Sequence, residues 1–129
     1  MELGNKKILV VDDNRTITDM VQDMLRSSPY SCITANSGRE CLDLVKDQEF
    51  DLILLDMAMP EMSGLDVLVK LREHNMARQN KAKVVLFTAS PMYSEMDLKI
   101  INEGYGAIER VKKPFTQTEL LALLKKHLG

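Results

Sequence analysis

The chain reads as an α/β domain in which five strands build one parallel sheet covered by helices on both faces, a doubly wound arrangement. Three observations predict it. Within 129 residues, apolar runs of strand length recur five times. Each is followed by a segment whose apolar residues repeat at the spacing of one helical face. The connections are short, and right-handed crossovers of that length lay successive strands parallel.

Residues 6–11 read as a buried strand. Asn14 is placed as N-cap of the first helix, whose Ile17, Met20, Val21, Met24 and Leu25 share one face. Ser28–Pro29 stops it, because a residue before proline is pushed out of the helical region. Residues 30–35 form a second, less apolar strand suited to a sheet edge. Ser37 with Glu40 makes a capping-box pattern that opens a helix running to about Asp47. Residues 51–55 are apolar on both faces, as a central parallel strand requires.

Ser63 and Gly64 begin a third helix carrying Leu65, Leu68, Val69 and Leu71, which gives way to a polar stretch at 77–82. Residues 83–87 are the fourth strand. Ser90–Pro91 supplies an N-cap and first helical position for a fourth helix, stopped near Gly104. Residues 106–111 form a weaker fifth strand, and Thr116 with Glu119 caps a final leucine-rich helix. The methionines on the helical stripes read as core.

Composition narrows the function. The chain is 45% apolar and 28% charged with a net charge of −2, which disfavours non-specific binding to nucleic acid or membrane, since both need a basic surface. No apolar run reaches transmembrane length, and MELGNKK leads straight into a strand pattern with no room for a signal peptide. Cys32 and Cys41 lack metal-type spacing and fit reduced thiols in a cytoplasmic protein. Residues 1–129 are expected to form a single domain, without an appended DNA-binding or catalytic module.

The chemistry is written at the strand ends. Asp12–Asp13 follows the first strand, Asp56 the third, Thr88 the fourth and Lys113–Pro114 the fifth. In a parallel sheet these residues converge outside the carboxyl ends of the strands, where open α/β sheets bind ligands. If the first and third strands are neighbours, three carboxylates crowd one pocket and repel one another unless a cation joins them. Oxygen donors with no nearby histidine favour a hard divalent ion such as Mg²⁺ over zinc or copper. Lys113 offers a point positive charge to a phosphoryl oxygen or an acid, and Thr88 offers a hydroxyl. Asp56, alone at the end of the central strand and followed by the loop 57–62, is the best candidate for a carboxylate nucleophile. Catalysis would then be positioning and electrostatics on the phosphoryl oxygens.

The blocks VVDDN, LLDMAMPEMSG, LFTAS and GAIERVKKPF resemble, in order and spacing, those of the receiver domain of two-component response regulators. The resemblance covers nearly the whole chain. It implies a flavodoxin-like (βα)5 fold with strand order 2-1-3-4-5. It makes Asp56 the counterpart of the phosphoacceptor, loaded from the phosphohistidine of a histidine kinase or histidine phosphotransfer protein. Asp13 would be a direct Mg²⁺ ligand, assisted by Asp12 largely through water, with Asp56 and the Ala58 backbone carbonyl completing the shell. Thr88 and Lys113 match the pair that binds the phosphoryl group, and the Lys113–Pro114 bond matches one that is cis in the family. Such domains catalyse only their own phosphorylation and dephosphorylation. They act as switches on protein contacts through the face of the fourth helix, fifth strand and fifth helix.

Two positions depart from the pattern. Arg110 stands where the family usually has Tyr or Phe; a guanidinium is too costly to bury unpaired and would not copy an aromatic's inward rotation. Tyr105 is a poor substitute. Ala58 stands where a longer side chain often flanks the phosphoryl group, and its methyl can neither hydrogen-bond nor orient water. Ser90 is the other neighbour of that water path, or simply an N-cap. Two competing readings differ in class. A phosphatase of the haloacid-dehalogenase type would need an acid two residues after the nucleophile, where this chain has Ala58. A degenerate receiver kept as a scaffold would be favoured by loss of an acid, and none is lost. Mg²⁺-dependent labelling by a small phosphodonor separates that scaffold from a working switch.

Overall fold

The computed structural model of the chain describes residues 6–78, 82–88 and 107–129. Five strands, β1 (Lys7–Val11), β2 (Ser31–Ala35), β3 (Leu52–Asp56), β4 (Lys83–Thr88) and β5 (Ala107–Lys112), form one parallel sheet in the order β2-β1-β3-β4-β5. Four helices are described: α1 (Arg15–Leu25), α2 (Gly38–Asp47), α3 (Gly64–Arg78) and the C-terminal α4 (Gln117–Leu128). The helix expected after Ser90–Pro91 lies outside the described residues.

The period of two along each strand splits the core into two layers. Leu9, Val11, Ile53, Leu55, Val84 and Leu86 face Cys41 and Val45 of α2 and Val67, Leu68 and Leu71 of α3. Their neighbours Ile8, Val10, Leu52, Leu54, Val85 and Phe87 face Val21 and Leu25 of α1 and Leu120, Leu123 and Leu124 of α4. β1 and β3 are therefore apolar on both faces because both faces are covered. Neighbouring registers Val11↔Leu55 and Asp56↔Phe87 bring the strand ends level along one edge.

Local signals set the helix boundaries. Asn14 caps α1 by accepting the Thr16 N–H, and Thr116 with Glu119 forms a complete capping box on α4. Four expectations need correction. α1 ends at Leu25, short of Ser28–Pro29, because the Ser28 N–H and hydroxyl both turn back to the Leu25 carbonyl. The Ser37–Glu40 box is only half formed: the Ser37 hydroxyl accepts the Glu40 N–H, but the Glu40 carboxylate accepts the Asn36 N–H rather than that of the cap. α3 runs to Arg78 and takes in the start of the expected polar stretch. On α1 the fully buried residues are Thr18, Val21 and Leu25, whereas Met20 and Met24 are half-buried.

Both cysteines are free. Burial pushes the Cys32 thiol up to about 11 and the Cys41 thiol to about 12, so neither is a reactive thiolate at neutral pH. Among the described residues, no helix is long and apolar enough to cross a membrane.

Candidate functional site

The adjacency of β1 and β3 brings together the acids that follow them. Asp12, directly after Val11, is 1% exposed, and Asp56, the last residue of β3, is 3% exposed. Asp13 beside them is exposed, and one carboxylate oxygen of each of the three lies within 4.8 Å of the others. Two desolvated carboxylates and a third at the mouth form an electronegative cup at the carboxyl edge of the sheet.

Lys113, just beyond β5, reaches into this cup. Its Nζ lies 2.6 Å from Asp12 Oδ2 and 3.3 Å from Asp56 Oδ1. The same ammonium stands 4.7 Å from the centroid of the Phe87 ring, whose π face favours a cation. Asp56 receives a further bond from the Ala58 N–H at 3.4 Å, and Asp12 Oδ1 accepts the Asn14 N–H at 2.9 Å. Burial and the charge of Asp12 push the Asp56 carboxyl up to about 6, against the opposing pull of Lys113 and the Ala58 N–H. One ammonium against three carboxylates leaves negative charge in excess. Oxygen donors so arranged fit a hard divalent cation.

The loop after Asp56 is held by its own backbone. The Met62 N–H donates to the Pro60 carbonyl at 2.6 Å, and Glu61 between them has φ 65°. That left-handed conformation is unfavourable for a residue with a Cβ. Gly64 opens α3 with its N–H on the Met57 carbonyl at 3.1 Å. A Cβ at position 64 would press on the Asp56 carbonyl oxygen and stand 2.6 Å from Met57 Cα. Glycine lets the first turn of α3 pack directly on the strand end that bears Asp56. The Ser63 hydroxyl and Asp66 carboxylate complete the turn by accepting each other's backbone N–H, both at 3.2 Å.

Of the residues singled out from sequence, Asp12, Asp13, Asp56 and Lys113 meet, and the Ala58 N–H touches Asp56. The Lys113–Pro114 bond is cis. Thr88 ends β4, paired in register with Lys112, and Arg110 pairs with Leu86. The side chains of Thr88 and Arg110, with Ser90 and Tyr105, lie outside the described residues. Sequence reasoning missed Phe87, the ring beneath the Lys113 ammonium. It also missed Asn36, whose Nδ2 donates to the Asp12 carbonyl at 2.9 Å. Asn36 follows β2, the strand beside β1, so its place at the same sheet edge was the available signal.

Comparison with known proteins agrees with this geometry. The family model described as response regulator receiver domain matches residues 8–125. The transcriptional regulatory protein CpxR of Escherichia coli is 35% identical over 119 residues, covering 92% of this chain and 47% of CpxR. The chain thus spans about half the length of the curated relatives it matches. Among solved structures, the chemotaxis protein CheY4 of Vibrio cholerae superposes with a TM-score of 0.84 at 30% identity, covering 97% of this chain and 100% of CheY4. The response regulator protein TrrA of Thermotoga maritima, solved in complex with Mg(2+)-BeF, has a TM-score of 0.79 at 36% identity, with 95% and 99% covered.

Proposed function

The chain belongs to the response regulator receiver family, and from that premise we propose that Asp56 is its phosphoacceptor. A carboxylate oxygen of Asp56 attacks the phosphorus of a phosphohistidine on a histidine kinase or histidine phosphotransfer protein. The P–N bond breaks, and the phosphoryl group moves to the aspartate as an acyl phosphate. The observation that carries the reading is the buried pair Asp12 and Asp56, with the Lys113 ammonium between them.

Each residue has a part in this reading. Asp13, Asp12, Asp56 and the Ala58 carbonyl hold Mg²⁺, which neutralises charge on the phosphoryl oxygens when bound. Asp13 is the exposed acid of the three and would be the one open to an ion arriving from solvent. Lys113 and Thr88 bind the remaining phosphoryl oxygens. The Ala58 N–H, already directed at Asp56 Oδ1, is a further donor at the same edge. Residues 1–129 act as one receiver domain of a cytoplasmic two-component system or phosphorelay, a switch whose only chemistry is on itself. Its output goes to a protein partner through the face made by the fourth helix expected after Ser90–Pro91, β5 and the C-terminal α4. A net charge of −2 gives the chain no overall basic character to draw non-specific nucleic-acid binding.

The test is intact-protein mass after incubation with acetyl phosphate, with and without Mg²⁺. A gain of roughly 80 Da, one phosphoryl group, is expected for the wild type with Mg²⁺ and not for Asp56→Asn. No gain under conditions that label a control receiver would leave the scaffold reading, with Arg110 at the usual aromatic position as its starting point.

A further inference from the structure

We propose that Asn36 and Thr18 are positioning residues for the acidic cup, locking the turn that carries Asp12 and Asp13 to the first helix and to the end of β2. This rests on the reading of the cup as a cation and phosphoryl site.

The lock is a short chain of hydrogen bonds. Asn36 Nδ2 donates both to the Asp12 carbonyl at 2.9 Å and to the Thr18 hydroxyl oxygen at 3.1 Å. The Thr18 hydroxyl donates onward to the Arg15 carbonyl at 3.1 Å. Chemistry fixes the amide's orientation: the Asp12 carbonyl can only accept, and the Thr18 proton is already committed, so both partners require the NH₂ group. The Asn36 backbone is held in turn, its N–H on the Glu40 carboxylate at 3.0 Å. The Asp12 N–H donates to the Ala35 carbonyl at 3.1 Å. The Asp12 backbone is thus tied on both sides to residues 35 and 36.

Thr18 is 1% exposed, and a hydroxyl is an expensive group to bury without partners. Its two bonds account for its place on the buried face of α1, where the sequence pattern would favour an apolar residue. The network ends on the backbone carbonyls of Asp12 and Arg15 and not on a carboxylate of the cup. It acts through the backbone, fixing where the two acids leave it, and supporting contacts of this kind set the affinity of the groups they orient.

Isosteric variants test this with the folded protein and Mg²⁺ as the probe. Mg²⁺ affinity is read from amide shifts in nuclear magnetic resonance titrations, and Asn14 amide exchange is read with chelator and no metal. Asn36→Asp keeps the shape but sets a carboxylate oxygen against the Asp12 carbonyl and removes the N–H donor to the Thr18 hydroxyl. By charge alone, another anion near the cup should tighten Mg²⁺ binding; by displacement of the turn it should weaken it. We expect weakening of about tenfold, with faster Asn14 exchange. Thr18→Val should weaken Mg²⁺ binding about threefold, and Thr18→Ser should restore the wild-type value.

Wild-type Mg²⁺ affinity and Asn14 exchange in Thr18→Val and Asn36→Asp, even with lower stability, or tighter Mg²⁺ binding in Asn36→Asp, would overturn the proposal and leave the network a purely structural tie. If the Asn36 variant does not fold, the Thr18 pair decides alone. A wild type that fails to bind Mg²⁺ would sink the reading of the cup itself. In that case the metal-free exchange of Asn14 still reports whether the network holds the turn.

Discussion

Removing the charge of Asp56 should make the metal-free protein more stable. In the folded state burial and Asp12 push this carboxyl from 3.8 up to about 6. Between those values the folded state keeps a proton that the unfolded chain has lost. A raised carboxyl value therefore stabilises the fold only at low pH; the contribution declines as pH rises through about 4 to 6 and is gone above. The full shift corresponds to about 3 kcal/mol, and solvent screening at the open mouth beside Asp13 reduces this to about 1–2 kcal/mol. Asp56→Asn keeps the shape, and its side-chain oxygen can still accept from Lys113 and the Ala58 N–H. In chelator at pH 7.5, urea melts should show the variant more stable by about 1–2 kcal/mol, or roughly 5 °C in Tm. Near pH 4 its advantage should shrink to a few tenths of a kcal/mol. A variant less stable than wild type at pH 7.5, or one whose advantage is undiminished at pH 4, would refute the electrostatic account of the cup.

Three further substitutions probe the same edge. Lys113→Met removes the cation that holds Asp56 down, so the Asp56 carboxyl should titrate above about 6 in ¹³C carboxyl spectra; an unmoved titration would mean the 3.3 Å contact is not felt. Gly64→Ala drives a methyl against the strand end, and overpacking of this kind should cost about 1–3 kcal/mol in urea melts and slow acetyl phosphate labelling. Wild-type stability in that variant would show that α3 can shift at no cost. Glu61→Gly relieves the left-handed φ of 65° while making the unfolded chain looser. The balance should favour the variant by about 0.5 kcal/mol, and a loss of stability would mean the Glu61 side chain holds the loop.

Much of the fold was legible because its signals are local. Alternating strand and helix patterns need only neighbouring residues, and covering both sheet faces makes the central strands apolar on both sides, as at residues 52–55 of β3. The acids were legible because a parallel sheet sends every strand end to one edge. What escaped depends on partners distant in sequence. The stripe on α1 pointed to Met20 and Met24, yet Thr18 is the deeper residue, because Asn36 supplies the bond that lets a hydroxyl be buried. Glu40 carries a capping-box pattern, but its carboxylate goes to Asn36. Lys113 could be assigned to the site from its place after β5. Its division between Asp12 and Asp56, with Phe87 beneath, follows from packing alone.

These observations give the cup a physical character. Unfavourable features gather there: a desolvated Asp56 beside Asp12, a left-handed Glu61, and α3 pressed so close to Asp56 that only glycine fits at 64. None is needed to fold a parallel sheet, since both core layers are apolar and continuous beneath them. Burial and the neighbouring Asp12 keep the Asp56 carboxylate poorly solvated and close to another negative charge. Water therefore stabilises that carboxylate less than it would an exposed one, and any group that brings compensating charge interacts with it more strongly. Lys113 compensates only in part, and its shorter contact is with Asp12. Asp56 keeps the weaker share of the ammonium, which suits the role of nucleophile proposed for it. On this view the instability of the cup and its reactivity have one cause, and a variant that relieves the Asp12–Asp56 repulsion while keeping Asp56 should gain stability and lose labelling rate together.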